Sequence, residues 1–254
     1  MKYTPYSYSK VSMFGQCPKK FEYQYIQKLP SIWKDSVALD RGKLIHLILE
    51  LDRDINKIKV HEDFLKIKER NLLGSDGIKE CFLTYDKVTK SKALEPIFNK
   101  TRLFAEMPLG LDYDLNIMEY NPKDLNNLFL RGYIDAAFVK PGKTEDEEDV
   151  LILVDWKSGK YKEPDNQTWD QLLWYSLGLF SKMPFNKIIL AYVYVDHEKM
   201  NLKTVYRSEI EKYKQALYNT VDEIETCTNF IKHESPLCDY CDHQEICVKD
   251  SQII

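Results

Sequence analysis

The sequence contains no long hydrophobic run and carries little net charge. No stretch of about 18 apolar residues occurs, so we expect no transmembrane helix. The first six residues, Met1-Lys2-Tyr3-Thr4-Pro5-Tyr6, lack the apolar segment of a signal peptide, and we therefore expect a reducing, cytoplasmic location. The formal net charge is -4. The molecule as a whole is therefore not a basic nucleic-acid binder, and any contact with a polyanion must come from a local patch.

Repeats, low-complexity tracts and Gly/Ser-rich linkers are also missing. The 254 residues are 44% hydrophobic, which is enough to bury one large core, and we expect a single domain over residues 1–254. The phosphate-binding pattern G-x-x-x-x-G-K-[ST] does not occur, so this chain is not itself a helicase.

The hydrophobic pattern predicts an α/β core with helices added at both ends. The predicted helices cover residues 9–27 with a break at Pro18, 36–55, 167–182 and 209–233. The predicted strands cover residues 128–139, 150–157, 187–195 and 202–206. Residues 57–100 read as helical and charged, and we interpret them as an insert or lid. On the last helix, one apolar face is predicted to contain Ile210, Tyr213, Leu217, Val221, Ile224 and Ile231.

Two acidic residues and a lysine carry the strongest chemical signal. They occur in Gly132-Tyr133-Ile134-Asp135 and in Val154-Asp155-Trp156-Lys157. Side chains on a strand alternate between faces, so Asp155 and Lys157 should point the same way, and Asp135 on the neighbouring strand can share that face. The alternative is a surface hairpin with a minor Asp–Lys ion pair, which Asp-x-Lys alone would favour.

This arrangement suits the hydrolysis of phosphodiester bonds. Carboxylates are suitable ligands for Mg²⁺ or Mn²⁺. Such a metal polarises a phosphate and lowers the pKa of a bound water, and a lysine can orient that water or stabilise charge on the phosphate.

Three further residues have either a functional or a packing interpretation. His46 lies on a predicted helix one turn after Gly42, where it is either a metal ligand or a partly buried helix histidine. Gln171 and Tyr175 are four residues apart on one helix face. They either contact a phosphate or water near the site, or they pack the helix.

Together these motifs resemble the PD-(D/E)XK nuclease superfamily, and more closely its RecB-like branch. The matching pieces, in the order of that family, are Ser7-x-Ser9, Cys17-Pro18, Gly42-x-x-Ile45-His46, Gly132-Tyr133-Ile134-Asp135, Asp155-Trp156-Lys157-Ser158-Gly159 and Gln171-x-x-x-Tyr175. The resemblance implies a restriction-endonuclease-like core, with a mixed central sheet flanked by helices.

The resemblance also implies roles for individual residues. His46, Asp135 and Asp155 would bind the metal together with the main-chain carbonyl of Trp156, and Lys157 would be catalytic. Asp155 stands where many relatives have glutamate; aspartate is shorter and shifts the metal slightly, but it keeps the chemistry. Glu106, which precedes the presumed first strand, resembles a glutamate often found there, and we assign it no firm role.

Four of the six cysteines form the second signal. Cys238, Cys241 and Cys247 give the spacing C-x₂-C-x₅-C, and clustered cysteines in a reducing compartment indicate metal binding. Zinc with His243 or His233 as a fourth ligand is one interpretation. A 4Fe–4S cluster with Cys17 as the fourth ligand is the other. The isolated Cys81 and Cys227 are expected to be small buried residues.

The cysteine pattern resembles the iron–sulfur subgroup of the superfamily, which includes AddB-type subunits and CRISPR-associated exonucleases. In that subgroup one cysteine precedes the nuclease core and three follow it. The resemblance implies that residues 1–30 and 234–254 form a staple joined by the cluster.

The expected function is a metal-dependent DNA exonuclease acting on single-stranded ends in DNA repair, recombination or phage replication. Helicases or recombination proteins are candidate partners, and no membrane is involved. The alternatives are a non-catalytic DNA-binding or assembly subunit and a structure-specific endonuclease. Aromatic and basic residues near the N-terminus are candidates for stacking on bases and contacting phosphates: Phe14, Phe21, Tyr23, Tyr25, Trp33, Lys19, Lys20, Lys28 and Lys34.

Overall fold

A six-stranded mixed sheet forms the centre of the fold, in a computed structural model that describes residues 1–31, 36–125, 127–142, 144 and 147–251. Its strands are β1 (Thr101–Leu111), β2 (Ile117–Met118), β3 (Leu130–Lys140), β4 (Val150–Lys157), β5 (Lys187–Tyr194) and β6 (Lys199–Tyr206). Their order across the sheet is β2-β1-β3-β4-β5-β6, and only the β4–β5 pair is parallel. The expected mixed α/β fold is therefore confirmed.

Helices cover both faces of the sheet. They are α1 (Tyr8–Gln16), α2 (Pro18–Phe21), α3 (Val37–Glu50), α4 (Ile55–Val60), α5 (Glu62–Arg70), α6 (Gly74–Lys90), α7 (Glu95–Phe98), α8 (Asp170–Lys182), α9 (Ile210–Thr226) and α10 (Gln244–Ser251). A short π-helical turn, Glu22–Ile26, extends α2. In the described part of the chain, no helix is long and apolar enough to cross a membrane.

The sheet separates two hydrophobic clusters, because its central strands are apolar on both faces. One cluster joins α1, α8 and α9 to residues such as Leu151 and Leu153 of β4. The other joins α3, α5 and α6 to Ile152, Val154 and Trp156 of the same strand. The strict alternation along β4 is what the sequence predicts for a strand buried on both sides.

Local sequence signals set several helix boundaries. The hydroxyl of Ser7 accepts a hydrogen bond from the main-chain nitrogen of Lys10 at 3.2 Å and caps α1. Pro18 is the first residue of α2, as predicted, because a proline lacks the N–H that an N-terminal helical position leaves unpaired. The predicted strand at residues 150–157 matches β4.

Other boundaries differ from the prediction. The first strand was expected at residue 128, but β1 precedes it, and Glu106 lies inside β1 rather than before a first strand. Pro108 and Gly110 obscure the strand pattern there. The helix expected over residues 209–233 ends at Thr226, so Ile231 lies outside α9 and is exposed.

Residues 57–100 are largely helical, as predicted, and form most of α4 to α7. The segment is anchored by Arg70 of α5, whose Nε atom donates to the buried carboxylate of Asp40 on α3 at 3.1 Å. The interpretation of this segment as a lid stays a prediction.

Candidate active site

The candidate site lies where β3 and β4 separate. Their ladder runs from Lys140↔Val150 to Ala136↔Val154, and Asp135 is the next residue of β3. Its Oδ2 atom accepts a hydrogen bond from the main-chain nitrogen of Trp156 at 2.8 Å. The carboxylate of Asp135 thus accepts the hydrogen bond that a main-chain carbonyl of β3 would otherwise accept, and β3 and β4 are not paired beyond this point.

The alternation of side chains shifts at the same place. On β3, Ile134 and Ala137 pack into one hydrophobic cluster, although residues three apart on a regular strand face opposite sides. Phe104 and Met107 on β1 behave in the same way. Between them lies Glu106, whose φ of 45° is uncommon for any residue other than glycine. The shift brings Glu106 and Asp135 to one position on adjacent strands.

Three side chains converge there on atoms that can bind a metal. His46, Glu106 and Asp135 each offer one ligand atom, and these atoms all lie within 4.8 Å of one another. The Nδ1 atom of His46 is 3.5 Å from Oδ2 of Asp135. A cleft of about 460 Å³ adjoins the group and is also lined by Glu50, Asp63 and Lys43.

The tautomer of His46 follows from its second contact. Its Nε2 atom lies 2.9 Å from the main-chain oxygen of Trp156. A carbonyl oxygen can only accept, so Nε2 carries the proton and Nδ1 presents a lone pair towards Asp135. Burial lowers the pKa of His46, and this favours the neutral ring that binds metals. The carbonyl of Trp156, expected beside the metal, here orients that ring.

The helix that carries His46 is fixed on its neighbours. Arg41 of α3 forms two hydrogen bonds of 2.5 and 2.8 Å with the carboxylate of Asp196, which follows β5. Because such a paired contact restricts rotation as well as distance, it holds α3 against the end of the sheet.

Asp155 and Lys157 face the same way, as the strand alternation predicts. The Nζ atom of Lys157 lies 2.6 Å from Oδ2 of Asp155, which is 3% exposed. This pair is in the middle of the sheet, so it is not the surface hairpin of the alternative interpretation. Asp155 contacts Lys157 and is not one of the three residues whose ligand atoms converge. The second carboxylate of that group is Glu106.

The carboxylates perturb one another. Burial and then the charge of Asp155 hold the pKa of Asp135 well above its usual range. Burial and then Glu50, Asp155 and Asp63 raise the pKa of Glu106 to about 7. Carboxylates this close resist ionising together unless a cation compensates them. The donor set of imidazole and carboxylates therefore fits a divalent metal ion.

Lys157 keeps its charge in this environment. Burial lowers the pKa of its ammonium group, but the carboxylates of Asp155 and Asp135 outweigh burial and raise it overall. The Nζ atom also lies 5.1 Å from the ring centre of Tyr192. A charged, oriented ammonium group therefore stands next to the acidic cluster.

Gln171 and Tyr175 meet on α8, as their spacing predicts. The Gln171 side chain hydrogen-bonds to the Tyr175 hydroxyl, and burial raises the pKa of that phenol to about 12. Tyr175 is buried against the main chain of β3, where a Cβ atom on Gly132 would lie 2.3 Å from the hydroxyl oxygen. Tyr175 thus supports the strand that carries Asp135, while Gln171 is partly exposed.

The four predicted metal-binding cysteines line one cavity. The cavity has a volume of about 420 Å³ and lies between the N-terminal helices and the C-terminal segment, with Cys17, Cys238, Cys241 and Cys247 in its wall. His233 and His243 line it too. Burial raises the pKa of Cys247; the charge of Lys232 opposes this, and the other three thiols add to it. Among the described residues, only His46, Glu106 and Asp135 bring metal-binding atoms within 4.8 Å of one another, so the four thiols share a cavity without meeting at one point, and the metal that they were expected to bind stays a prediction.

The two isolated cysteines differ from each other. Cys81 is fully buried, as expected. Cys227 is only partly buried.

Three of the N-terminal aromatic residues are part of the core, and Tyr25 is partly buried against it. Phe14, Phe21 and Tyr23 are buried, so they cannot stack on bases as the sequence suggested. Trp33 and Lys34 lie outside the described residues. Sequence reasoning missed an exposed aromatic residue beside the acidic group, Tyr133, although it quoted the motif that contains it. It also gave no role to Glu106, whose only signal was its resemblance to a glutamate of the family.

Comparison with known proteins identifies the family. A solved structure, the crystal structure of SSO0001, is similar with a TM-score of 0.32 and 13% identity, over 93% of this chain and 83% of that chain. No curated protein matches this chain. The model of the PD-(D/E)XK nuclease superfamily matches residues 5–248. The chain therefore belongs to the PD-(D/E)XK nuclease superfamily, whose nucleases are metal-dependent phosphodiester hydrolases.

Proposed function

We propose that this protein is a Mg²⁺- or Mn²⁺-dependent DNA exonuclease of the RecB-like branch, acting on single-stranded ends in the cytoplasm. The observation that carries the proposal is the convergence of His46, Glu106 and Asp135 beside the Asp155–Lys157 pair. DNA repair, recombination or phage replication would use such an activity. Helicases and recombination proteins are the partners that the family resemblance suggests.

The metal would be held by side chains on three elements. His46 of α3 offers Nδ1, and Glu106 of β1 and Asp135 of β3 offer carboxylates. Asp155 of β4, which contacts Lys157, is the further ligand that the family resemblance implies. A divalent cation bound there polarises the scissile phosphate and lowers the pKa of a bound water.

Lys157 supplies the positive charge that does not depend on the metal. Its ammonium group donates to a phosphate oxygen or orients the attacking water as negative charge develops. The short contact with Asp155 fixes the position of Nζ, and Tyr175 of α8 packs on Gly132 and so supports β3.

Cleavage of labelled DNA tests this function. End-labelled single- and double-stranded DNA is incubated with and without Mn²⁺, using wild type, Lys157→Ala and Lys187→Ala. Lys187 is a matched control because it begins β5 at the opposite end of the sheet. We expect Mn²⁺-dependent release of short products from single-stranded ends, a loss of roughly 100-fold or more in Lys157→Ala, and normal cleavage in the control.

Other outcomes identify the alternatives. DNA binding without cleavage at any metal concentration would indicate a non-catalytic binding or assembly subunit. Cleavage inside branched or circular substrates would indicate a structure-specific endonuclease. Normal cleavage by Lys157→Ala would place the active site elsewhere.

A second proposal concerns the cysteines. Cys17, Cys238, Cys241 and Cys247 hold a 4Fe–4S cluster, and residues 1–30 and 234–254 form a staple around it. Support comes from the shared cavity and from the four-thiol donor set. The role is structural, because the cluster would tie both ends of the chain together. Residues 57–100, in turn, would act as a lid over the core.

A further inference from the structure

Tyr133 is an exposed aromatic residue next to the acidic group. It lies two residues before Asp135 on β3, and 48% of its surface is exposed, whereas the adjacent Ile134 is buried. Exposure alone does not indicate a function, so the position of this ring beside the acidic group and its neighbours on β3 carry the argument.

The ring lies on the same side of the sheet as His46. Gly132 and Ile134 face α8, where Tyr175 and the hydrophobic cluster pack on them. Tyr133, between them, points to the opposite face, which α3 covers further along the sheet.

Tyr120 restricts the orientation of this ring. The two ring centres are 5.7 Å apart with an interplanar angle of 74°, an edge-to-face contact. A ring held in this way loses little conformational entropy when a second planar group stacks on it.

A cation follows on the same face. Arg131 lies two residues from Tyr133, and no carboxylate of the described residues lies within 4.0 Å of its guanidinium group. Along β3 the order is Asp135, Tyr133 and Arg131, with about 7 Å between successive members.

We propose that a single-stranded nucleic acid lies along β3, with one base stacked on Tyr133 and a phosphate at Arg131. The phosphodiester bond that is cleaved would then lie at Asp135. This inference rests on the proposed function and defines its substrate path. Every base has a π face, so such stacking tolerates any sequence. A duplex keeps its bases stacked within the helix and offers none to Tyr133, which gives a physical reason for a preference for single strands.

Binding of defined oligonucleotides tests the path. Fluorescence anisotropy is measured with Mn²⁺ in the Lys157→Ala background, to prevent cleavage, for Tyr133→Ala, Tyr133→Trp and Tyr206→Ala. Tyr206 is the matched control, because it is a strand tyrosine with 50% exposure at the far end of β6. We expect Tyr133→Ala to weaken single-strand binding by about 5- to 150-fold, Tyr133→Trp to retain it, and the control to be unchanged.

An abasic site then distinguishes stacking from folding effects. Moving one abasic nucleotide along the end of the strand should locate a position at which loss of the base weakens binding to the parent protein but not to Tyr133→Ala. Arg131→Ala should reduce the slope of log affinity against log salt by about 0.7, the value for one phosphate contact on a single strand.

Two results would overturn this inference. One is single-strand affinity in Tyr133→Ala equal to that of the parent. The other is an equal penalty for the abasic site in both proteins. The proposed function is judged separately, by Mn²⁺-dependent cleavage in wild type. If wild type cleaves DNA but Tyr133 does not contribute to binding, only the binding path along β3 is wrong. If Tyr133 contributes to binding but wild type does not cleave DNA, only the nuclease activity is wrong.

Discussion

At the scale of single residues, the closest packing near the site is between Gly132 and Tyr175. A Cβ atom on Gly132 would lie 2.3 Å from the Tyr175 hydroxyl oxygen and 2.5 Å from two of its ring carbons. No side chain fits in this space, so the glycine of this motif is explained by the approach of α8 to β3. The packing connects the tyrosine to the position of Asp135, three residues along the strand.

We predict that Gly132→Ala destabilises the protein by about 1–3 kcal/mol, because the added methyl group displaces Tyr175 or β3. Cleavage should fall as well, since Asp135 moves with the strand. The measurement is urea unfolding at neutral pH. Gly15→Ala is the control, because no atom lies within 4 Å of its added Cβ and the residue is inside α1, where alanine should add about 0.5–1 kcal/mol. Equal stability of Gly132→Ala and wild type would contradict this account.

We predict that His46→Ala raises the Mn²⁺ concentration for half-maximal cleavage by at least about 10-fold, because the metal loses a nitrogen ligand. Full metal titrations are compared at equal concentrations of folded protein. His197→Ala, which removes an exposed histidine, should leave the curve unchanged. If the curves of wild type and His46→Ala superimpose, while the mutant only melts at lower temperature, His46 is a packing residue.

At the scale of elements, the N-terminal segment is attached to α9 by one carboxylate. Glu225 accepts hydrogen bonds from the main-chain nitrogens of Lys2 and Tyr3 at 2.8 and 3.2 Å and from the Tyr6 hydroxyl at 2.7 Å. Tyr6 also pairs with Leu130 at the start of β3. The contact therefore holds α1, and with it Cys17, in a defined position relative to the sheet.

This contact should make stability depend on pH. Burial raises the pKa of Glu225, but the three hydrogen bonds outweigh burial and lower it overall. The folded state then binds the proton less tightly than the unfolded state. Its stabilisation is fully present above the unfolded pKa of about 4.3 and is lost as the pH falls through the lower folded pKa.

We predict that Glu225→Gln lowers the free energy of unfolding by about 1 kcal/mol at pH 7, a modest value because the carboxylate is partly exposed. The difference from wild type should shrink as the pH falls below about 4. Chemical unfolding at a series of pH values measures it. Glu223→Gln, an exposed glutamate on the same helix, is the control. A difference that stays constant from pH 7 to pH 3 would refute the charge-based explanation.

At the scale of the whole molecule, the cysteine cavity connects the two ends of the chain. Cys17 precedes α2, while Cys238, Cys241 and Cys247 follow α9. A ligand bound by all four would close nearly the entire chain into one loop. Closing a long loop restricts the unfolded state most, so metal loss should reduce the stability of the complete fold.

We predict that protein purified without oxygen is yellow-brown and contains about four irons per chain. Substituting serine for any of the four cysteines should remove the colour and lower the melting temperature, whereas Cys227→Ser should retain both iron and colour. Iron and zinc are measured by elemental analysis and the cluster by absorption spectroscopy. Stoichiometric zinc without iron would contradict the cluster and would indicate a zinc site that includes His243 or His233.

Much of this architecture follows from local sequence signals. The alternation along β4 determines that Asp155 and Lys157 share a face, because that strand is regular and buried on both sides. Pro18 starts α2 for an equally local reason, its missing N–H. The order of the motifs along the chain was sufficient to indicate the superfamily.

The tertiary structure alone decided how the site is assembled. Glu106 and Asp135 meet because the alternation shifts on two paired strands at once, and a period-two pattern in one strand does not reveal a shift shared with its neighbour. His46 reaches Asp135 only through the packing of α3 on the sheet. The sequence likewise does not show which aromatic residues are buried, as Phe21 is, and which are exposed, as Tyr133 is. Burial depends on contacts between distant segments, and these exist only once the chain has folded.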